Sequence, residues 1–228
     1  DTPYVIETVK NLVAELPVPL IAFAGAPFTV ASYLIEGKPS RTYGLVKTLM
    51  LTDEPLWFRL MDRLADLAIA SLRSQVGAGA SAVQLFDSWA GALSPSQYER
   101  YVQPASRKVF DAVRDLDVPL IHFGVHTGEL LGLLADAGAD MVGVDWRTPL
   151  DVARTRVPER CALQGNLDPT VVLAGWEPTR AAAADILRRN AGHPGHVFNL
   201  GHGVLPETDP AVLEQLVAWL HEQPVVPT

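Results

Sequence analysis

Six times along this chain a short apolar run gives way to a turn and then to a helical stretch, and no other feature restricts the fold as much. The runs are Val18–Gly25, Ser81–Asp87, Val118–Gly124, Asp140–Asp145, Cys161–Gly165 and His196–Gly201. They are nearly continuous in hydrophobicity, as parallel strands covered on both faces are. The intervening segments carry helix start signals. Ser94-Pro95-Ser96-Gln97 reads as an N-cap, an N1 proline and the glutamine of a capping box, and Asp168-Pro169 and Asp209-Pro210 repeat the cap-plus-proline pattern. Tyr98, Tyr101, Val102, Ala105, Val109, Val113 and Leu116 recur at steps of three and four and predict one helix after Ser94. Leu56, Leu60, Leu64, Ala68, Leu72 and Val76 predict a longer helix before it, and Tyr4–Glu15 a leading one. Gly77, Gly79 and Gly138 stand where helices stop. Two architectures fit six such units: a doubly wound open sheet, or part of an eight-stranded α/β barrel. No run is followed by a G-x-G-x-x-G turn or a P-loop, which weighs weakly against the first.

Composition narrows the function classes. Hydrophobic residues make up 48% of the 228 and charged residues 19%, a globular balance with ample material for a core. The net charge of −8, without any Lys/Arg stripe, argues against a nucleic-acid or membrane-surface binder. A single cysteine, Cys161, rules out an intrachain disulfide framework and points to a reducing, cytoplasmic compartment. No apolar run approaches the roughly 18 residues of a membrane span, and no signal peptide opens the sequence. The chain starts at Asp1, without Met, inside the leading helical pattern.

In a parallel barrel the chemistry gathers at the C-terminal strand ends. Here those positions hold Thr29 and Tyr33; Asp87 and Ser88; His122, His126 and Thr127; Asp145 and Arg147; Gln164, Asn166 and Asp168; and Asn199 and His202. Several have ordinary structural duties. Ser88, Thr127 and Asp168 are placed to cap a helix or turn, Asp145 to bind backbone amides, and His122 to pack along a strand. His202 differs, because it stands between Gly201 and Gly203, where backbone can approach a ligand closely. Small residues and a proline in Phe23–Thr29 leave a pocket open after the first run, and Tyr33, one helical turn past Thr29, can return a hydroxyl towards it. Searches for metal and nucleophile motifs are negative: Cys161 has no second cysteine, no G-x-S-x-G elbow occurs, and His122 and His126 straddle a strand end.

Five segments occurring in order, Phe23–Gly37 (FAGAPFTVASYLIEG), Gln84–Pro95 (QLFDSWAGALSP), Val142–Trp146 (VGVDW), Leu163–Pro169 (LQGNLDP) and Val197–Pro206 (VFNLGHGVLP), closely resemble the uroporphyrinogen decarboxylase family over nearly the whole chain. The resemblance implies a (β/α)8 TIM barrel that removes the four acetate carboxylates of uroporphyrinogen III to give coproporphyrinogen III in haem biosynthesis. It also implies a cofactor-free, metal-free, cytoplasmic homodimer. Tyr33 would hydrogen-bond a substrate carboxylate or the catalytic acid, while Ser88 and His202 would each bind a side-chain carboxylate.

The same resemblance exposes a shortfall. The family's R-Q-A-G-R motif, whose arginines clamp carboxylates, and its F-S-D-I-L-type motif, whose aspartate stabilises the cationic intermediate, occur nowhere in residues 1–228. Residues 1–228 are therefore expected to form a single, N-terminally incomplete barrel domain holding strands three to eight, with no catalytic acid identified and with free edges at both ends. Arg41 and Arg147 would supply part of the local positive charge. Alone, such a chain is expected to be inactive. Two other readings stay open: a zinc-dependent corrinoid or coenzyme-M methyltransferase of the same superfamily, and a non-catalytic truncated homologue. Against the first, Phe123 in His122-Phe123-Gly124 stands where that group's thiolate ligand would be.

Overall fold

A computed structural model of the chain describes residues 3–38 and 40–224. The strands are β1 (Ile21–Gly25), β2 (Ala82–Phe86), β3 (Leu120–Phe123), β4 (Met141–Gly143), β5 (Ala162–Gln164) and β6 (His196–Val197). The helices are α1 (Pro3–Glu15), α2 (Pro27–Glu36), α3 (Gly44–Thr52), α4 (Glu54–Gly77), α5 (Pro95–Tyr101), α6 (Gln103–Val113), α7 (Leu131–Asp136), α8 (Leu150–Arg154), α9 (Pro169–Val172), α10 (Trp176–Asn190) and α11 (Pro210–His221). Asp1, the expected start inside a helix, lies outside the described residues. Among the described residues no helix is long and apolar enough to cross a membrane.

All six strands form one parallel sheet in the order β1-β2-β3-β4-β5-β6, so the α/β class and the sequential order of units agree with the sequence. The end strands β1 and β6 do not pair with each other. Residues in register share a face of the sheet. Ala22, Val83 and Leu85, Leu120, Val142 and Leu163 face the helices and form the principal core with Phe28, Trp57, Tyr98 and Phe110. A smaller core of Leu167, Val172, Ala183, Val212 and Leu216 ties α9, α10 and α11 together.

Three local expectations need adjustment. The long helix is present, capped by Asp53 through the amide of Leu56 at 3.0 Å, but its buried stripe runs through Trp57, Met61, Leu64, Ala68 and Leu72, one position round from Leu56. The single helix expected after Ser94 is two, because Pro104 has no N–H to continue the ladder and α5 ends at Tyr101. The strand expected over His196–Gly201 is regular for two residues, then touches its neighbour again through the Leu167–Leu200 bridge. The capping box at Ser94 and the caps at Asp168 and Asp209 all form.

Burial also departs from expectation at the sheet's edge. The β3 strand is covered on both faces, whereas Ile21 is 44% and Phe23 61% exposed on β1. Those two side chains share the face opposite the helices, where the described residues provide no further layer over β1.

On β6, burial pushes the His196 imidazole below its ordinary value of 6.5 against a 2.8 Å bond to the Gly165 carbonyl, which favours the proton. Between 6.5 and that lowered value the unfolded chain binds the extra proton, so His196 leaves stability intact above pH 6.5 and erodes it as pH falls below. Denaturant midpoints at pH 7.5 and 5.5 are expected to differ more in the wild type than in His196→Gln; equal differences would refute the assignment.

Candidate functional site

On the face away from the helices, Gln84, Phe86, Phe123 and Gln164 form the floor of a cavity of about 610 Å³. The two buried amides satisfy each other, Gln164 Nε2 donating to Gln84 Oε1 at 3.0 Å. The rings of Phe23, Phe86 and Phe123 meet edge to face at 5.6 and 5.8 Å. Room for Phe123 exists because Gly143 has no side chain; a Cβ there would lie 2.6 Å from the ring. Phe198 and Leu200 beyond β6, with Leu213 and Val217 of α11, complete the apolar wall.

Ser88 and His202 converge on this cavity from turns following β2 and β6. Both also line a neighbouring cavity of about 420 Å³ with Ser40, Arg41, Tyr43 and His126. Tyr33 does not join them: it is 52% exposed, lines neither cavity, and packs behind the wall of the second one, its ring edge-on to Trp89 at 5.7 Å. Burial, with Tyr33 and Glu36 nearby, pushes the Tyr43 phenol up to about 12, so this second hydroxyl of the wall stays protonated throughout neutral pH.

The turn bearing His202 is fixed from below. The Gly201 amide donates to the Leu167 carbonyl at 2.7 Å, and a Cβ on Gly201 would lie 2.5 Å from the Trp146 nitrogen. The close approach brings His202 edge-on to Trp146 at 6.3 Å. Arg147 lies over the same indole, 3.8 Å from its centroid, and pairs with Asp145 at 3.0 Å. Asp145 itself accepts the His126 amide at 2.7 Å and the Arg147 amide at 3.2 Å, the backbone-binding duty expected of it. Asn166 braces the same turn through the carbonyls of Asp145 and Thr148.

Beneath Ser88, Asp87 is fully buried and accepts the Thr29 hydroxyl at 3.2 Å, so Thr29 ties two strand ends together and does not line the cavities. His122 faces the helices, packed edge-on against Phe110, with Nδ1 3.2 Å from the Leu134 carbonyl and Nε2 3.7 Å from Asp87. Its ring packs in the core as expected, but Nε2 and the facing Asp87 Oδ2 are both buried without a hydrogen-bond partner among the described residues. Burial and the neighbouring Asp87 hold the Tyr98 phenol well above its ordinary value. Among the described residues no three His, Cys, Asp or Glu side chains gather as metal ligands would.

Gln84 and Trp89 lie in the segment Gln84–Pro95, but neither they nor Tyr43 stood out as individual site residues in the sequence. Only Gln84 offered a signal, as a polar residue inside an apolar run.

Two comparisons bear on the site. The sequence model of the family described as uroporphyrinogen decarboxylase (URO-D) matches residues 1–223. A curated uroporphyrinogen decarboxylase of Salinispora tropica is 59% identical over 223 residues, covering 97% of this chain and 60% of the relative. That of Streptomyces coelicolor is 60% identical over 224 residues, covering 98% and 63%. The chain thus spans about three-fifths of the length of the curated relatives it matches.

Proposed function

The chain belongs to the uroporphyrinogen decarboxylase family, and from this we propose that it forms the carboxylate-recognising part of an enzyme converting uroporphyrinogen III to coproporphyrinogen III. The convergence of Ser88 and His202 on one apolar-walled cavity carries the reading. A macrocycle edged with carboxylates needs an apolar floor for its body and polar groups at the rim.

The same proposal makes β1–β6 the third to eighth strands of an eight-stranded barrel. Its support is the open parallel order and the exposed apolar side chains of Ile21, Phe23 and Val197, which two further strands would cover. A cytoplasmic, cofactor-free homodimer, with uroporphyrinogen as its small-molecule substrate, belongs to this reading; the buried free thiol of Cys161 fits a reducing compartment.

Chemically, protonation of each pyrrole at the adjacent ring carbon creates a cationic ring as electron sink. The C–C bond to the acetate carboxylate then breaks to release CO2, and its electron pair neutralises the ring. A proton added to the exocyclic CH2, with loss of the ring proton, restores a pyrrole bearing a methyl group. A carboxylate beside the pyrrole N–H groups stabilises that cation more than the neutral substrate. In this reading the carboxylate stands outside residues 1–228, His202 and Ser88 hold substrate carboxylates without moving the proton, and Tyr33, which lines neither cavity, acts through the Trp89 wall it packs against.

In the intact protein, His202→Ala is expected to raise KM about tenfold or more with little change in kcat, and Tyr33→Phe to lower activity modestly. A thousandfold loss of kcat at unchanged KM would make His202 the proton-transfer residue instead. Coproporphyrinogen formation by residues 1–228 alone would overturn the proposed division of labour and direct attention to Asp87 and Asp145.

A further inference from the structure

The 420 Å³ cavity beside the main one has an unusual charge balance for a chain of net charge −8. The described residues lining it include Arg41, His126 and His202 and three hydroxyls, from Ser40, Tyr43 and Ser88, but no Asp or Glu. An arginine, two imidazoles and three O–H donors with no carboxylate among them make an anion site.

His126 reaches that cavity from an unfavourable backbone position. Its φ is +59°, in the left-handed region that a residue with a Cβ seldom adopts. Two contacts hold it there. Its amide donates to the buried carboxylate of Asp145 at 2.7 Å. On the other side its Cβ fits against Gly91, where an added Cβ would lie 2.6 Å away and only 2.3 Å from the Val125 carbonyl oxygen. The turn after β2 has thus given up a side chain, and the buried Asp145 an acceptor oxygen, to support one strained histidine. The imidazole is exposed and makes no hydrogen bond within the described residues, and on its far side it borders a smaller cavity where Glu129 and Asp145 are offset by Arg147 and Arg156. Strain that the surroundings maintain at a cavity wall marks a residue whose side chain has work there.

We propose that this cavity is a second carboxylate subsite, in which His126, with Arg41, holds a side-chain carboxylate of the substrate distinct from those held by Ser88 and His202 in the main cavity. The assignment rests on the uroporphyrinogen reading above. It makes His126 a binding and specificity residue, not a proton donor. It also supplies, from within this chain, cationic character that Ser88 and Tyr33 cannot.

The left-handed φ provides a test that separates folding from binding. His126→Gly relieves the backbone and removes the imidazole, and His126→Asn keeps a side chain that tolerates the same conformation. In the intact protein both variants are expected to melt at or above the wild-type temperature. KM for uroporphyrinogen III is expected to rise at least tenfold in His126→Gly, with kcat within threefold of wild type. Binding of the oxidised octacarboxylate, uroporphyrin, followed by its absorption band, is expected to weaken in parallel. A KM change below threefold in both variants, or a loss confined to kcat, would overturn the proposal. His202→Ala, run alongside, distinguishes the two failures. If it raises KM while the His126 variants do not, only the second subsite falls; if neither changes KM, the carboxylate reading of the whole site falls.

Discussion

Replacing Trp57 with alanine is expected to lower folding stability by about 3–5 kcal/mol, the largest effect of any single truncation in the principal core. Trp57 is fully buried on α4, packs edge to face against Phe28 of α2 at 6.2 Å, and donates its indole N–H to the Tyr101 carbonyl at 2.9 Å. That carbonyl belongs to the last residue of α5, where Pro104 interrupts the helical ladder. Truncation therefore opens a cavity and also strips a buried acceptor of its partner, two penalties that add. Domains of this size are commonly stable by only about 5–15 kcal/mol, so the variant is expected to unfold well below the wild-type temperature. Trp57→Phe restores most of the volume but not the donor and is expected to cost about 1–3 kcal/mol. Denaturant titration of both variants checks the ordering, and a Trp57→Ala loss under 1 kcal/mol would contradict the packing described.

The second large effect is on the site. If the proposed function holds, Gly201→Ala in the intact protein is expected to reduce kcat/KM by about a hundredfold, the scale of loss that follows a displacement of roughly 1 Å. The added methyl would stand 2.5 Å from the Trp146 nitrogen and 3.1 Å from the Asp145 carbonyl carbon, and neither backbone atom can swing aside as a side chain could. Relief requires lifting the turn after β6, which breaks the 2.7 Å bond to Leu167 and carries His202 away from its cavity walls. Gly77→Ala, at the end of α4 and away from both cavities, is the control, because nothing lies within 4 Å of the position its Cβ would take. Steady-state kinetics on the two variants should separate cleanly; equal activities would mean that the turn yields without cost.

The units of the fold were legible in the sequence wherever one residue type had one physical meaning. Apolar runs became strands in their expected order, and the proline-following caps at Ser94, Asp168 and Asp209 formed as read. What resisted reading was the side on which neighbours lie. The Leu56 stripe is one position off because Trp57 and Met61 extend it, a choice made by what α2 and α6 present and not by α4's own period. Continuous hydrophobicity in Val18–Gly25 gave no sign that Ile21 and Phe23 stay exposed, since that depends on whether another layer covers the strand.

The candidate site divides the same way. His202 was legible from its flanking glycines, and Gly201 does permit a close backbone approach. Tyr33 was reached by counting one helical turn, which places a residue along α2 but does not say which way its ring leaves the helix; the ring packs against Trp89 and lines neither cavity. Gathering Arg41, His126 and Ser88 on one wall requires knowing which loops touch, and no local pattern encodes that.

Strand order has a consequence for how the chain acquires its structure. Every strand pairs with the next one made, so each unit emerging during synthesis finds its sheet partner already in place. The connections differ in length, from the short crossovers on either side of β4 to the three-helix connection between β1 and β2, but no early strand has to wait for one beyond its immediate successor within this segment. The small core joining α9, α10 and α11 is the last to be completed in such a vectorial process. The turn that carries His202 leads directly into it, so assembly of the candidate site coincides with the last docking event within this segment.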